Sequence, residues 1–341
     1  MMDNKKVLRA GIIGCGNIFP MHAHSVGALE NGRVAAVCDI DRGRADKAAK
    51  ELNCKAFYDY KEMIDSGEID VVHVCTPHYL HKEMVLYALK KDLFVICEKP
   101  MAIRMEDGEE MACAAKESKG GLSIIFQNRL NPGSVFAKQV IDSGKLGKIL
   151  GGKIIVTWNR PESYYASGDW RGTLDKEGGG VIINQAIHSF DLLRWLIPNE
   201  FVSVQASIAN RIHPSIAVED EASGLLQFEG GLHVPFFATN NFSMDDPILV
   251  MIHGEKGVMR IVSDEATVTY GDGTTERSGA DDEKKIDFGD GAKGYWGISH
   301  YKQIRNEYNA FLAGQPDDTL EEGLKTHRMI CALYESARKN K

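Results

Sequence analysis

The sequence predicts an α/β chain of two domains: a parallel sheet covered by helices on both faces, then an α+β domain on a large, open-faced, mostly antiparallel sheet. Three observations predict it. Short apolar runs alternate with helical stretches through the first third of the chain, the pattern of repeated strand–helix units. Those runs are almost continuously apolar, as strands buried on both faces are. After about residue 128 the runs become longer and partly alternating, which suits strands with one face turned outward.

In the first domain, Val7–Ile13 reads as a strand, His22–Glu30 as a helix and Arg33–Cys38 as a strand ending at Asp39. Arg42–Leu52 is an alanine- and charge-rich helix. Val71–Cys75 is a strand, His81–Lys91 a helix, Phe94–Cys97 a strand and Met105–Ser118 a helix, and Leu122–Phe126 closes the series. In the second domain, Ile149–Trp158, Val202–Asn210, Ala222–Phe228 and Leu232–Thr239 are strands, and Glu229-Gly230-Gly231 reads as a hairpin turn. Met251–Val262 and Ala266–Tyr270 add more strand, with a Gly-Glu-Lys-Gly turn at 254–257. Helices are expected at Val135–Ser143, roughly Ile183–Leu196, Ser299–Leu312 and Leu320–Lys339. The polar stretch Gly271–Asp290 reads as a mobile loop with one short strand. The expected division is 1–127, 128–320, and a last helix over 321–341 packing back on the first domain.

Composition narrows the function classes. The 341 residues are 43% hydrophobic and 26% charged, as in an ordinary globular enzyme, and the net charge of -8 comes without the basic stripe a nucleic-acid surface needs. The polar start, Met1 to Lys6, has no apolar core of a signal peptide, and no apolar run is long enough to span a membrane. Seven irregularly spaced cysteines, several inside apolar strands, fit small buried hydrophobes in a reducing cytoplasm. No zinc-type spacing occurs, and no metal is expected.

Gly14-Cys15-Gly16-Asn17-Ile18 follows the first strand. Gly14 permits a tight turn, Gly16 lets the backbone approach a pyrophosphate, and the next helix offers free N–H groups to that anion. Position 19 is Phe, so the fingerprint lacks its third glycine. Asp39 ends the next strand, where an acid accepts from both ribose hydroxyls. That favours NAD over NADP, although Arg42 and Arg44 nearby could accommodate a phosphate. Cys75-Thr76-Pro77 and Glu98-Lys99-Pro100 end later strands, at the edge where open parallel sheets take ligands. The candidate cofactor contacts are Gly14, Gly16, Asn17, Ile18, Asp39, Arg44, Thr76, Pro77, His81, Glu98 and Lys99. Lys99 emerges where the nicotinamide should lie; partial desolvation would lower its pKa for proton transfer. The Lys99–Pro100 bond is a candidate for the cis form.

A further constellation starts at Gly178-Gly179-Gly180 and runs through Asn184, His188 and Asp191. The triple glycine opens a helix and allows a close approach to its start. Asn184 and His188 are four apart and would share a helical face, and Asp191 could hold the second ring nitrogen. Just upstream, Trp158, Arg160, Tyr164, Tyr165, Trp170 and Arg171 cluster on one connection. Aromatic faces pack on sugars, and guanidinium forks bind carboxylate or phosphate. With Asn128, Asn184 and His188, these are the candidate substrate contacts.

These strings, in this order, resemble the glucose–fructose oxidoreductase/inositol dehydrogenase (Gfo/Idh/MocA) family over essentially the whole chain. The resemblance implies a Rossmann domain followed by a domain with a large open sheet. It also implies NAD(P)-linked chemistry on sugars, inositols and related alcohols, and homodimers or homotetramers built through that sheet. It implies a catalytic group of Lys99 and His188, with Asn184 standing where the family has an aspartate. An amide positions a hydroxyl but takes no proton, which leaves His188 the better base. Trp170-Arg171-Gly172 and the Asn-Gln-x-x-His string look most like the branch of UDP-N-acetylglucosaminuronate 3-dehydrogenases. Rival readings are a glycoside-cleaving enzyme that oxidises its sugar transiently, a non-catalytic nucleotide-sensing regulator, and a reductase with an apolar pocket.

Overall fold

A computed structural model describes residues 6–281, 283, 286–288, 298–315 and 319–339. The polar start as far as Lys5, and residues 282, 284–285 and 289–290 of the expected mobile loop, lie outside the described residues. Contacts divide the chain into two units: Met1–Ala102, Glu106–Gln127 and Glu283–Leu324, and then Ile103–Met105, Asn128–Asp282 and Lys325–Lys341.

The first unit runs β1 (Leu8–Ile13), α1 (Phe19–Gly27), β2 (Gly32–Cys38), α2 (Arg42–Leu52), β3 (Lys55–Phe57), α3 (Tyr60–Asp65), β4 (Val71–Val74), α4 (His81–Leu89), β5 (Phe94–Cys97), α5 (Met105–Glu117) and β6 (Leu122–Ile124). Its strands lie in the order β3-β2-β1-β4-β5-β6, all parallel. The winding reverses between β1 and β4, and the carboxyl ends at such a switch point are where open α/β sheets take ligands. Two elements escape the sequence reading. β3 is three partly exposed residues and α3 a six-residue helix, both too short to show a period. Helix α1 starts three residues earlier than expected. Phe19 is buried against Ile12, Ala23 and Val37, and Pro20 sits in the first turn, where its missing N–H costs nothing.

The second unit contains α6 (Pro132–Asp142), β7 (Ile149–Thr157), α7 (Glu162–Tyr165), α8 (Val181–Asn184), α9 (Ile187–Leu196), β8 (Phe201–Ala209), β9 (Glu221–Phe228), β10 (Leu232–Thr239), β11 (Leu249–Gly254), β12 (Gly257–Val262), β13 (Glu265–Tyr270) and β14 (Thr275–Arg277). Its sheet has the order β14-β13-β12-β11-β7-β10-β9-β8 and is antiparallel except where β10 runs beside β7. The inward positions, among them Ile154, Val234, Phe236, Val250, Ile252 and Ile261, are all buried. Helices α6, α8 and α9 cover that face. The outward positions (Ile155, Leu225, Phe237, Leu249, Met251 and Val262) are only half-buried or exposed.

The expected helix over Ile183–Leu196 is two helices. The chain turns at Gln185 and Ala186, where the Ala186 N–H reaches back five residues to Val181 O at 2.8 Å. Asn184 therefore ends one helix and His188 lies in the first turn of the next, and they do not share one regular face.

Two helices close the chain, α10 (Ser299–Leu312) and α11 (Thr319–Lys339). Their contacts divide the expectation for the tail. The start of α11, through Leu324, counts with the first unit, where Thr319 bonds Ser123 at 3.1 Å, and α10 packs there too, burying Ile304 and Tyr308 among Leu8, Val26 and Ile96. From Lys325 onward α11 belongs to the second unit. There Thr326 donates to Asp191 (2.6 Å), Tyr334 to Glu219 (2.7 Å), and Ser336 Oγ accepts from Ala206 N (3.1 Å). Polar partners at these positions decide where the helix docks, and an amphipathic pattern alone does not name its partner.

Candidate active site

The turn after β1 needs its glycine. Gly14 has φ +95°, and a Cβ there would stand 2.6 Å from the Cys75 carbonyl oxygen. Its N–H bonds Cys38 O at 2.8 Å, which ties the turn to the end of β2. Gly16 has nothing within 4 Å of its Cβ position, so the backbone there is open to a close-lying ligand. Helix α1 follows with no side-chain cap at Ile18; its Phe19 and Met21 N–H groups bond Gly16 O (3.2 Å) and Ile18 O (3.1 Å), and Pro20 has none, so the anion-binding part of this edge is the glycine turn itself. The Asp39 carboxylate accepts from Cys15 N and Asp41 N, both at 2.8 Å. Each oxygen retains acceptor capacity for a ribose hydroxyl. Arg44 is exposed and leans on Asp41 (3.5 Å). These features fit the pyrophosphate and adenosine ribose of a dinucleotide.

Two residues expected to touch cofactor turn inward. His81 is fully buried, and its ring nitrogens face Pro100 O (2.8 Å) and Thr76 O (2.9 Å). It clamps the loop after β4 to the loop after β5. Burial holds its pKa below the ordinary histidine range, although both carbonyls favour a proton. Glu98 is also buried. Its Oε1 accepts from His22 Nε2 (3.0 Å) and His300 Nε2 (3.3 Å), and its Oε2 from Lys99 N (3.2 Å). The Lys99–Pro100 bond is cis, and Lys99 itself is half-buried at the sheet edge.

Behind Glu98 runs a buried chain that the sequence reading missed. His22 Nδ1 meets His73 Nδ1 at 2.9 Å, and His73 Nε2 meets Tyr308 Oη at 2.9 Å. One assignment satisfies every link: Tyr308 O–H donates to His73, His73 Nδ1–H to His22, and His22 Nε2–H to the carboxylate. Burial works against the Glu98 charge, but the bonds from His22 and His300 outweigh it and hold the carboxyl well below its usual range. Burial, with His22 adding to it, keeps His73 neutral. His22, Glu98 and His300 also offer atoms within 4.8 Å of one another, a spacing that suits a metal ion. The chain's polarity already accounts for those three atoms.

In the second unit the predicted aromatic–arginine cluster comes together. Arg171 lies 4.4 Å over the rings of both Tyr164 and Trp170. Arg160 lies 4.7 Å over Trp158 and pairs with Asp245 at 3.1 Å. The Tyr164 hydroxyl accepts from Arg171 Nη1 (2.5 Å), Asn184 Nδ2 (3.1 Å) and Gln185 Nε2 (2.9 Å). Asn184 Nδ2 also donates to Glu177 Oε1 at 2.5 Å, and Glu177 Oε2 accepts from Gly172 N at 2.5 Å. Burial outweighs the Gly172 and Asn184 donors and raises the Glu177 pKa above the ordinary carboxylate value. Asn240 bonds Gln185 Oε1 (2.8 Å) and Tyr165 Oη (3.2 Å), which locks Gln185 from behind.

Known proteins share the two-domain fold. The model of an oxidoreductase family with an NAD-binding Rossmann fold matches residues 8–126, and the GFO/IDH/MocA C-terminal domain matches residues 135–260. The chain belongs to the Gfo/Idh/MocA family of NAD-binding oxidoreductases. Its relatives include the inositol 2-dehydrogenase of Rhizobium meliloti, 26% identical over 79% of this chain and 80% of that one. Another is the uncharacterized oxidoreductase YrbE of Bacillus subtilis, 26% identical over 66% of this chain; the match spans 65% of that relative's length. Among solved structures, the WlbA dehydrogenase from Bordetella pertussis, in complex with NADH and UDP-GlcNAcA, is 26% identical with a TM-score of 0.83 over 98% of each chain.

On this Gfo/Idh/MocA scaffold three further expectations need correction. The close approach allowed by the triple glycine is made by the protein itself. A Cβ on Gly179 would stand 2.0 Å from Tyr334 Oη, one on Gly180 1.8 Å from Glu219 O, and Gly178 faces Ile103. Asp191 does not orient His188: its oxygens take Arg129 (2.5 and 2.8 Å) and Thr326. Tyr165 is buried in a small core with Ile216 and Val218, and so backs the cluster without lining it. Of the remaining candidates, Asn17 is exposed, while Thr76, Pro77, Asn128, Asn184 and His188 are half-buried. Glu177, Gln185 and Asn240 were missed because their importance lies in partners distant in sequence.

Proposed function

We propose that this oxidoreductase transfers a hydride between NAD and a secondary alcohol of a sugar, sugar acid, nucleotide sugar or inositol. The observation that carries the substrate class is the cluster around Tyr164. Two arginines stacked on tryptophan and tyrosine rings give flat faces for a sugar and guanidinium groups for an anion. The similarity to a dehydrogenase whose complex holds UDP-GlcNAcA supports the acidic nucleotide-sugar end of that range. Asp39 favours NAD over NADP, because a 2′-phosphate would meet its carboxylate.

Gly14, Gly16, Asn17 and Ile18 would hold the pyrophosphate, with Thr76 and Pro77 lining the same edge. Bound NAD would supply the hydride acceptor. In this reading His188 removes the hydroxyl proton as the carbon–hydrogen bond breaks, and Lys99 donates a hydrogen bond to the same oxygen. Asn184 orients the hydroxyl, and Arg171, Trp158, Trp170 and Asn128 hold the rest of the substrate. Arg160 contributes mainly by building the site, since it is 8% exposed and held by Asp245. The half-exposed outer face of the second sheet, with Phe237, Met251 and Val262, suits a homodimer or homotetramer contact. A reducing cytoplasm suits the seven free cysteines, most of them partly or fully buried.

The test is a panel of nucleotide sugars, free sugars and inositols, scored by NADH and NADPH formation side by side. Stoichiometric NADH with an acidic nucleotide sugar is expected. Glycone release without NADH would show a hydrolase working through transient oxidation, and no turnover with tight NAD binding would show a sensor.

A further inference from the structure

Residues 210–220 join β8 to β9 in a loop with no motif, closed on its own polar groups. Asn210 Nδ2 donates to His213 O (2.8 Å) and Ile216 O (3.0 Å), and the Asp220 carboxylate accepts from Arg211 N (2.8 Å) and Ile212 N (2.9 Å). The loop backs the aromatic–arginine cluster. Ile216 and Val218 pack on Tyr165, and Ser215 Oγ donates to Glu162 at the start of α7. The His213 ring is buried between two more partners. Asp220 Oδ2 lies 2.9 Å from its Nδ1, and the Arg160 carbonyl oxygen 2.7 Å from its Nε2. A carbonyl oxygen only accepts, and so does a carboxylate. Burial opposes the Asp220 charge, but the Ile212, Arg211 and His213 donors outweigh it and hold the carboxyl below its usual range. A neutral imidazole has a single N–H and would turn a lone pair on one of these oxygens. Both bonds exist together only when both ring nitrogens carry protons.

We propose that His213 is a positioning residue whose doubly protonated ring latches this loop to the Arg160 carbonyl, and so fixes the chain between β7 and α7 that carries the substrate cluster. Arg160 N donates to Asn240 O at 2.9 Å and its guanidinium pairs with Asp245 at 3.1 Å, so the carbonyl bond completes the hold on this residue. From there the chain enters α7, which carries Tyr164 to Arg171. Among the described residues, the charged and titratable groups around the ring are Asp220 on its own loop, the Arg160–Asp245 pair, and Tyr165 on α7, whose ring lies 5.0 Å away. Arg211 on the loop is taken by Glu221 at 2.6 Å. Burial pushes the Tyr165 hydroxyl above the ordinary tyrosine range, and Asp220 stays ionised, so a change in the latch between pH 6 and 9 comes from the ring. The inference rests on the dehydrogenase reading, in which this cluster holds substrate.

The experiment compares wild type with His213→Gln and His213→Phe. Glutamine has one amide nitrogen and serves one of the two acceptors at every pH; phenylalanine serves neither and never titrates. The readouts are kcat and KM from pH 6.0 to 9.0 with the panel alcohol that the wild type oxidises fastest, and Tm at each pH. Titrations of the substrate and of the proton-handling residues enter all three proteins alike, so the variant-to-wild-type ratios isolate the latch. Long-range ¹H–¹⁵N spectra identify the His213 ring as the signal missing from the variants and show which of its nitrogens are protonated.

At pH 6.0 the KM ratio is expected at about 3- to 10-fold, the worth of one hydrogen bond, falling to within about twofold of unity at pH 9.0 as the wild type loses the same bond. The kcat profiles should keep one shape in all three proteins, and the wild-type spectra at pH 6.0 should show both His213 nitrogens protonated. A purely structural role would lower Tm and give a KM ratio that does not depend on pH. That flat ratio, or a bare His213 nitrogen at pH 6.0, would overturn the proposal. A wild type that oxidises no alcohol would instead overturn the dehydrogenase reading and the positioning role with it, while the spectra would still report whether the ring donates to both oxygens.

Discussion

Replacing Glu98 by glutamine and by alanine separates two accounts of the buried chain beneath Lys99. Glu98 receives N–H groups from His22, His300 and the Lys99 backbone. Alanine strands all three. Each buried donor left unmade costs about 1–3 kcal/mol, and partial relaxation brings the expected loss to about 3–5 kcal/mol. Glutamine behaves differently because the chain can reverse. Its N–H₂ takes the place of Oε1 and donates to His22 Nε2 and His300 Nε2, while its oxygen retains Lys99 N. His22 then carries its proton on Nδ1 and donates to His73, which donates from Nε2 to Tyr308. The links survive with neutral groups, but the buried Tyr308 O–H loses His73 as its acceptor, so Glu98→Gln should cost about 1–3 kcal/mol, less than alanine does. Urea unfolding at pH 7.5 measures both losses, and long-range ¹H–¹⁵N spectra of the histidine rings report the tautomers. A glutamine variant as unstable as the alanine one, or histidines that retain their wild-type tautomers in it, would refute the polarity assigned here.

Four other outcomes are expected. His73, His81 and His300 are each held below the ordinary histidine range by burial; the unfolded chain therefore binds more protons below about pH 6.5, and stability should fall as pH drops through that value, by up to about 1.4 kcal/mol per pH unit per histidine. Urea midpoints at pH 7.5, 6.5 and 5.5 check this, and a flat profile would contradict it. Gly14→Ala carries the left-handed backbone penalty of about 1–2 kcal/mol as well as a contact with the Cys75 carbonyl, so it should weaken NAD binding in a titration. Gly180→Ala, whose Cβ would overlap Glu219 O, should lower Tm more than Gly14→Ala does. Lys99→Met and His188→Ala should each lower kcat by about 10²–10⁴-fold while NAD still binds; near-normal turnover in both would reject them as the proton-handling pair. Arg171→Ala should chiefly raise KM for an anionic substrate, whereas Arg160→Ala should also lower Tm because it breaks the Asp245 pair; kinetics unchanged in both would remove the cluster from the substrate site.

What was legible in the sequence was what repeats or punctuates. The strand–helix alternation gave the six-stranded parallel sheet apart from β3, and Gly14 and the strand-end prolines marked its ligand edge. Trp158 to Arg171 announced a cluster by local density. Partnership between distant residues was illegible. His73 sits in the apolar run Val71–Val74, where the period says core, and only the fold sets it beside His22 and Tyr308. The glycine run at 178–180 was read as room for a ligand, since a sequence shows that a Cβ is absent but not what fills the space. The break after Asn184 was hidden for a related reason. The stretch is uniformly helix-compatible, and the interruption comes with Gln185 bonding outward to Tyr164 and Asn240.

The departures from the expected pattern share one physical logic. Position 19 lacks the third glycine, and Phe19 there fills the space between α1 and the sheet with Ile12 and Val37; close helix–strand approach is replaced by an aromatic filler, while Gly14 and Gly16 of the turn remain. Position 184 carries an amide where the family resemblance implies an acid, and a buried acid appears at Glu177, bonded to that amide. In both places the surroundings are rebuilt from different residues, an aromatic filler in one and an amide–carboxylate bond in the other. Buried supports are free to change as long as their hydrogen-bond polarity and volume close. The identity of residue 184 is therefore best read together with the buried acid bonded to it.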